Sequence, residues 1–170
     1  MSRRLFFGLR PDKETRNAIN ASYRQQTGFE GRPHHPDDLH MTLVFLGQIE
    51  GTLDCYKEAA ANVRVPRFTL ELDAFDYWQK PAIILMQPSS PPEELQGLVS
   101  LLHHNLKDCG FRPEKRKYRP HVTLVRKAKP LSDQTPKQPI EWQVNQFCLY
   151  VSSSRPNPPR YQVIDQWSLL

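Results

Sequence analysis

His40 and His121 open two matching tetrapeptides, His40-Met41-Thr42-Leu43 and His121-Val122-Thr123-Leu124. Imidazole titrates near neutrality, so two of them can divide one reaction, one taking a proton and the other giving it. Along an extended strand, side chains two apart share a face, which sets His40 with Thr42 and His121 with Thr123. Packing accounts for Leu43 and Leu124, but not for a histidine and a threonine recurring at matching places. Two imidazoles and two hydroxyls around one small volume suit a phosphate diester. Its cleavage needs a base for the attacking hydroxyl or water and an acid for the departing oxygen, while hydroxyl donors steady the non-bridging oxygens as charge builds. This chemistry needs neither metal nor cofactor. No H-E-x-x-H or mixed Cys/His spacing accompanies His34, His35, His103 or His104, so a metal site is not expected.

The elements that must hold these residues form an internal repeat. The first copy spans about 4–47: a strand from Arg4 to Arg10, Pro11, a helix from about Lys13 to Gln26 capped by Asp12 with Ala18 and Ile19 inward, a loop over 28–38, and a strand over 39–47 stopped by Gly47. The second spans about 82–127: a strand at AIILMQP, a helix introduced by Ser90 and stopped at Gly110, a basic loop over 111–120, and a strand over 121–127. Leu95, Leu98, Val99, Leu102 and Leu106 have the spacing of one buried helical face. Between the copies lie a helix over about 51–62 and a strand over 67–75. After them come a proline-rich connection over 129–139 and strands at about 143–151 and 161–169. Two copies cannot make a solenoid. The reading is an α+β fold, residues 1–170 as one domain, in which two pseudo-symmetric βα lobes with antiparallel sheets enclose a central cleft. With opposed faces, the lobes bring the four motif side chains together.

Composition narrows the partners. Lys and Arg number 23 against 18 Asp and Glu, a net charge of +5 that favours a polyanion. The apolar run near the N-terminus is interrupted by Arg10 and is too short for a signal peptide or a membrane span, so no membrane partner is expected. Cys55, Cys109 and Cys148 are an odd, widely spaced set that suggests neither a disulfide framework nor a zinc knuckle, and the expected compartment is the reducing cytoplasm.

The paired motifs, with RLFFGL at the start, DDLHMTLVFLG, PHVTLVRK and the closing SSSRPNPPRYQVIDQWSL, resemble the two-histidine (2H) phosphoesterases. Within them the chain is most similar to the RNA 2′,3′-cyclic phosphodiesterase, or 2′-5′ RNA ligase-like, branch. The resemblance implies the LigT-like form of the two-lobed fold and hydrolysis of an RNA 2′,3′-cyclic phosphate end to a 2′-phosphate. A weak reversible 2′-5′ ligase activity is also implied. It makes His40 the proton donor to the leaving 3′ oxygen and His121 the acceptor that activates water.

Arg126, at a position where the family carries a basic residue, is a phosphate-binding candidate. Strict alternation puts Arg126 and Phe45, each five positions after its histidine, on the face away from the motif, so Arg126 arrives only if the strand twists, bulges or ends. Phe45, Tyr161 and Arg119 complete the candidate substrate contacts. Tyr118 or Tyr161 could stack a base, and Arg112, Lys115, Arg116 and Lys117 could follow an RNA backbone. The expected partner is RNA bearing a 2′,3′-cyclic phosphate end, acted on by a monomer. Two alternatives remain: a non-catalytic module that binds an RNA end or nucleotide, and a phosphodiesterase of a small cyclic nucleotide phosphate.

Overall fold

Strand β1 (Arg3–Leu9) is buried from Leu5 onward on both faces, which is the pattern of a strand central to a sheet. Pro11 ends the run, and Asp12 caps α1 (Lys13–Arg24) by accepting the Thr15 N–H at 2.8 Å, a bond that also lowers the Asp12 pKa. The helix buries Thr15, Ile19 and Ser22, at the spacing of one helical face. Ala18, expected to face inward, is exposed, because one residue of helix turns the side chain by about 100° away from Ile19. The structure is a computed structural model, and it describes residues 2–131, 135–155 and 157–170. The expected connection over 129–139 therefore falls partly outside the described residues.

The loop after α1 is shaped by contact with the second repeat. Its short strand β2 (Arg32–Pro33) pairs with β7 (Val122–Arg126). Gly31 has φ +138°, and a Cβ there would lie 2.6 Å from the Arg126 carbonyl, so only glycine lets the loop pass this close. A single 3-10 turn over Pro36–Asp38 then leads to β3 (Met41–Ile49). Next come α2 (Asp54–Ala61), β4 (Phe68–Leu72), β5 (Ala74–Trp78), β6 (Ile83–Gln87) and α3 (Glu93–Leu106). The tail gives β8 (Ile140–Val144), β9 (Gln146–Ser152) and β10 (Tyr161–Ser168).

Two segments read as single strands prove to be two each. The run 67–75 breaks at Asp73, whose carboxylate accepts the Ser89 N–H at 2.7 Å, and the run 143–151 breaks at Asn145, whose carbonyl accepts the Leu169 N–H at 2.8 Å. Both breaks carry the chain between sheets. A large antiparallel sheet runs β10-β9-β1-β3-β7-β6-β5, with β2 on β7, and a small one pairs β4 with β8. Helix α3 buries the five apolar residues that sequence spacing assigned to its inner face. Pro92, rather than Ser90, stands at its N-cap, without a side-chain cap bond. A 3-10 turn over Lys107–Cys109 follows the helix and is closed by Gly110 at φ +83°.

The repeats are β1-α1-β3 and β6-α3-β7. They join edge to edge within one sheet, not face to face, through an antiparallel contact at Met41↔Val122. One core cluster unites them, drawing on Phe7 of β1, Ile19 of α1, Leu98 of α3 and Trp142 of β8. The cysteine reading needs correction. Cys55 on α2 and Cys109 beyond α3 form a disulfide, leaving Cys148 buried and free. Fifty-four residues separate the pair, and only the packing of α2 against the end of α3 brings them together. No helix among the described residues is long and apolar enough to cross a membrane.

Candidate active site

Met41 and Val122 are fully buried, so in an alternating strand their neighbours Thr42 and Thr123 must take the other face. Continuing the Met41↔Val122 register by one residue in each direction sets His40 beside Thr123 and Thr42 beside His121, because antiparallel partners point to the same side. The four motif side chains are thus gathered by a single strand pairing. A slip of one residue would send the set on one strand into the core.

Each histidine sits one residue ahead of its strand and is oriented in the same way. His40 Nδ1 lies 2.8 Å from the Asp38 carbonyl, and His121 Nδ1 lies 2.8 Å from the Arg119 carbonyl. A carbonyl can only accept, so each neutral ring carries its proton on Nδ1 and presents Nε2 as a free lone pair. Neither threonine hydroxyl has a protein partner among the described residues, which leaves both able to donate to a bound anion. Burial holds both imidazoles neutral: His40 is pushed down to about 4, with the His121 and Arg126 charges adding to the effect, and His121 is lowered too.

Strand bulges decide what stands five positions after each histidine. Along β6 and β7 the register passes from Leu85↔Thr123 to Ile84↔Val125 and leaves Leu124 over; along β1 and β3 it passes from Gly8↔Thr42 to Phe7↔Val44 and leaves Leu43 over. Leu124 and Val125 are therefore both buried, as are Leu43 and Val44. The extra residue reverses the alternation, so Arg126 and Phe45 return to the motif face. The strict-alternation expectation for these two is corrected by the bulges. Arg126 donates from Nε to His34 Nε2 at 2.8 Å and from an Nη to the Tyr161 hydroxyl at 2.9 Å. Phe45 is 44% exposed, with the Arg4 guanidinium 5.0 Å from its ring centre.

Aromatic rings enclose each histidine differently. His40 lies 4.5 Å from Tyr161, 4.9 Å from Phe6 and 5.7 Å from Tyr150, centre to centre. His121 has Trp78 at 4.4 Å, and the Arg119 guanidinium covers the Trp78 ring at 3.7 Å. Sequence reasoning named Arg119 and Tyr161, and both come to the site. Tyr118 does not stand free to stack a base, since it is half-buried and its hydroxyl donates to the Thr42 carbonyl at 2.8 Å, tying the basic loop to β3. Arg112, Lys115, Arg116 and Lys117 are exposed, with Arg116 paired locally to Glu114. His34, weighed as a metal ligand, accepts from Arg126 instead.

Trp78, Phe6 and Asp38 were missed. Asp38 is buried, and its carboxylate accepts the backbone N–H groups of Arg160 and Tyr161 at 2.8 and 3.3 Å, so it fixes the start of β10 beside His40. An acidic pair just before the first motif was the available signal for Asp38. Nothing in the sequence linked Trp78 to His121.

The sequence profile of the 2′-5′ RNA ligase superfamily matches residues 11–156. The chain belongs to that superfamily. An Escherichia coli protein named RNA 2′,3′-cyclic phosphodiesterase is 31% identical, with 98% of this chain and 96% of that protein covered. A Thermus thermophilus protein of the same name is 27% identical over 98% of this chain and 90% of its own. Among solved structures, E. coli LigT complexed with 3′-AMP superposes with a TM-score of 0.89 at 30% identity, covering 99% of each chain. The two-lobed superfamily fold is therefore the fold of this chain.

Proposed function

We propose that this superfamily member is an RNA 2′,3′-cyclic phosphodiesterase: a hydrolase that opens the cyclic phosphate at an RNA end to leave a 2′-phosphate. The observation that carries the reading is the pairing at Met41↔Val122, which gathers two Nε2 lone pairs and two threonine hydroxyls on one face. The names of the relatives point to the same class of reaction.

In this mechanism the cyclic phosphate lies between the two imidazoles, its non-bridging oxygens accepting from Thr42 and Thr123 and from Arg126. His121 Nε2 takes a proton as water attacks phosphorus opposite the 3′ oxygen. The bond from phosphorus to O3′ breaks, and His40 gives its proton to O3′, leaving a 3′-hydroxyl and a 2′-phosphomonoester. His40 starts neutral, so it gains that proton as the anionic substrate arrives, because a nearby negative charge raises an imidazole pKa. With a 5′-hydroxyl attacking in place of water, the same step breaks the bond to O3′ and gives a weak 2′-5′ ligation, and its reversal re-forms the cyclic phosphate.

All four motif residues come from one chain, which supports a monomer acting through residues 1–170 as one unit. RNA as substrate, and not cysteine content, supports a cytoplasmic setting. The test is incubation with a short RNA ending in a 2′,3′-cyclic phosphate, with chelator present. The expected product carries a 2′-phosphate; a 3′-phosphate would reverse the roles of the two histidines, and tight binding with no product would make the protein a binding module.

A further inference from the structure

Beside the motif face, on the His40 side, lies a cavity of about 490 Å3 that contains none of the four motif residues. Arg126 and Tyr161 form the wall it shares with the site, and they are hydrogen-bonded to each other. Arg32, Lys127 and Arg160 also line it, and none of these four cations has a carboxylate partner among the described residues. The one acid in the wall, Asp38, is occupied by two backbone N–H groups. The cavity is therefore electropositive, and Pro33, Pro81, Ala82, Ile83 and Pro158 give it an apolar wall beside these cations.

Two further features mark it as more than a crevice. Lys127 holds φ +48°, a conformation that costs a non-glycine residue, at the place that turns its chain out of β7 beside the cavity. His34, pushed down to about 3 by burial and by Arg126, is neutral; with Nε2 accepting from Arg126 its proton sits on Nδ1, which is buried without a protein partner. A buried donor left unpaired is costly unless something else satisfies it.

We propose that this cavity holds the RNA segment immediately 5′ of the reacting end, the internucleotide phosphate meeting the cations Arg32, Lys127 and Arg160 and the upstream nucleoside resting on the apolar wall. This rests on the phosphodiesterase reading. There, O3′ departs toward His40, so the ribose that carries it lies on His40's side, next to Tyr161. The chain upstream of that ribose then continues past Tyr161 and Arg126 into the cavity. The enzyme is accordingly one for RNA ends of at least two nucleotides, and a lone cyclic mononucleotide uses only part of its binding surface.

The experiment compares kcat/KM for a 2′,3′-cyclic mononucleotide lacking a 5′-phosphate with that for a dinucleotide ending in the same cyclic nucleotide. The dinucleotide is expected to be favoured by about tenfold or more, the scale of charge-assisted contacts to one phosphate. Arg160→Ala and Lys127→Gly, the latter keeping the backbone conformation while removing the charge, should each erase most of that advantage and leave mononucleotide hydrolysis within about twofold. Unchanged mononucleotide turnover also reports that each variant is folded. The advantage should shrink with added salt. Equal efficiency on the two substrates overturns the proposal, as does an equal loss on both in the variants. Turnover of neither substrate by the unmodified protein sinks the phosphodiesterase reading itself, a separate result.

Discussion

The two halves of the site share a motif but not an environment. Each has a histidine one residue ahead of a strand, an Nδ1 contact of 2.8 Å to the carbonyl two residues back, and a bulge that leaves over the leucine at the end of the motif. Around that common frame the first half packs three aromatic rings on His40, whereas the second packs one tryptophan on His121, itself covered by the Arg119 guanidinium. The bulges deliver Phe45 in one half and Arg126 in the other. Duplication thus supplies a nearly symmetric pair of proton-transfer groups, and the non-repeated surroundings make them unequal. A phosphodiester reaction needs that inequality, because one imidazole must be charged when the other is neutral.

Removing either imidazole is the harshest test. His40→Ala and His121→Ala should each lower kcat by about 10²- to 10⁴-fold, the range for loss of a general acid or base. The double variant should be little worse than either single one, since the two act as a unit. A single variant that keeps full activity would break the pairing.

Next is the position five after the histidine. Arg126→Ala should cost about 10- to 100-fold in kcat/KM through lost charge-assisted contacts to phosphate. Phe45→Ala should change it by less than about threefold. Comparable losses in both would mean that the bulges build a symmetric phosphate clamp.

A gentler probe addresses the aromatic surroundings. Tyr161→Phe keeps the ring against His40 and removes the acceptor for Arg126, so a loss of about three- to tenfold is expected, the worth of one ordinary hydrogen bond. The loss should fall on KM and kcat together if Arg126 drifts, and it should vanish in the Arg126→Ala background, as a double-mutant cycle would read.

The smallest effect is in pH dependence. Free His40 is held near 4, and substrate charge raises it, so the alkaline limb of kcat should lie at higher pH than the alkaline limb of kcat/KM. For stability the sign is fixed by the same depression. His34 and His40 take up protons more readily unfolded than folded, so stability is full above about 6.5 and falls as pH drops toward 4. Thermal melts at pH 7.5 and 5 check this, and the decline should flatten in a His34→Gln variant.

Much of the site was legible because its signal was local and repeated. His40, Thr42, His121 and Thr123 were found by the recurrence of one tetrapeptide in two equivalent places, and α3 by the spacing of five apolar residues. Asp12 was recognisable as a cap. What escaped reading was non-local. The break at Asp73 depends on Ser89, the break at Asn145 on Leu169, and the Cys55–Cys109 disulfide on how α2 meets the end of α3. Trp78 reached His121 through pairings that carry no signature in its own segment.

The sequence by itself determined the two histidine-threonine strands, the helices between them, and the alternation that sends Met41 and Val122 into the core. Those properties follow from side-chain chemistry and from periodicities only a few residues long. Tertiary structure alone decided that Met41 meets Val122, that Leu43 and Leu124 are left over in bulges, and that Arg126 turns toward Tyr161 and His34. The reason is geometric. A strand's register is a relation between two segments, set by what both bury together, and neither segment contains it alone.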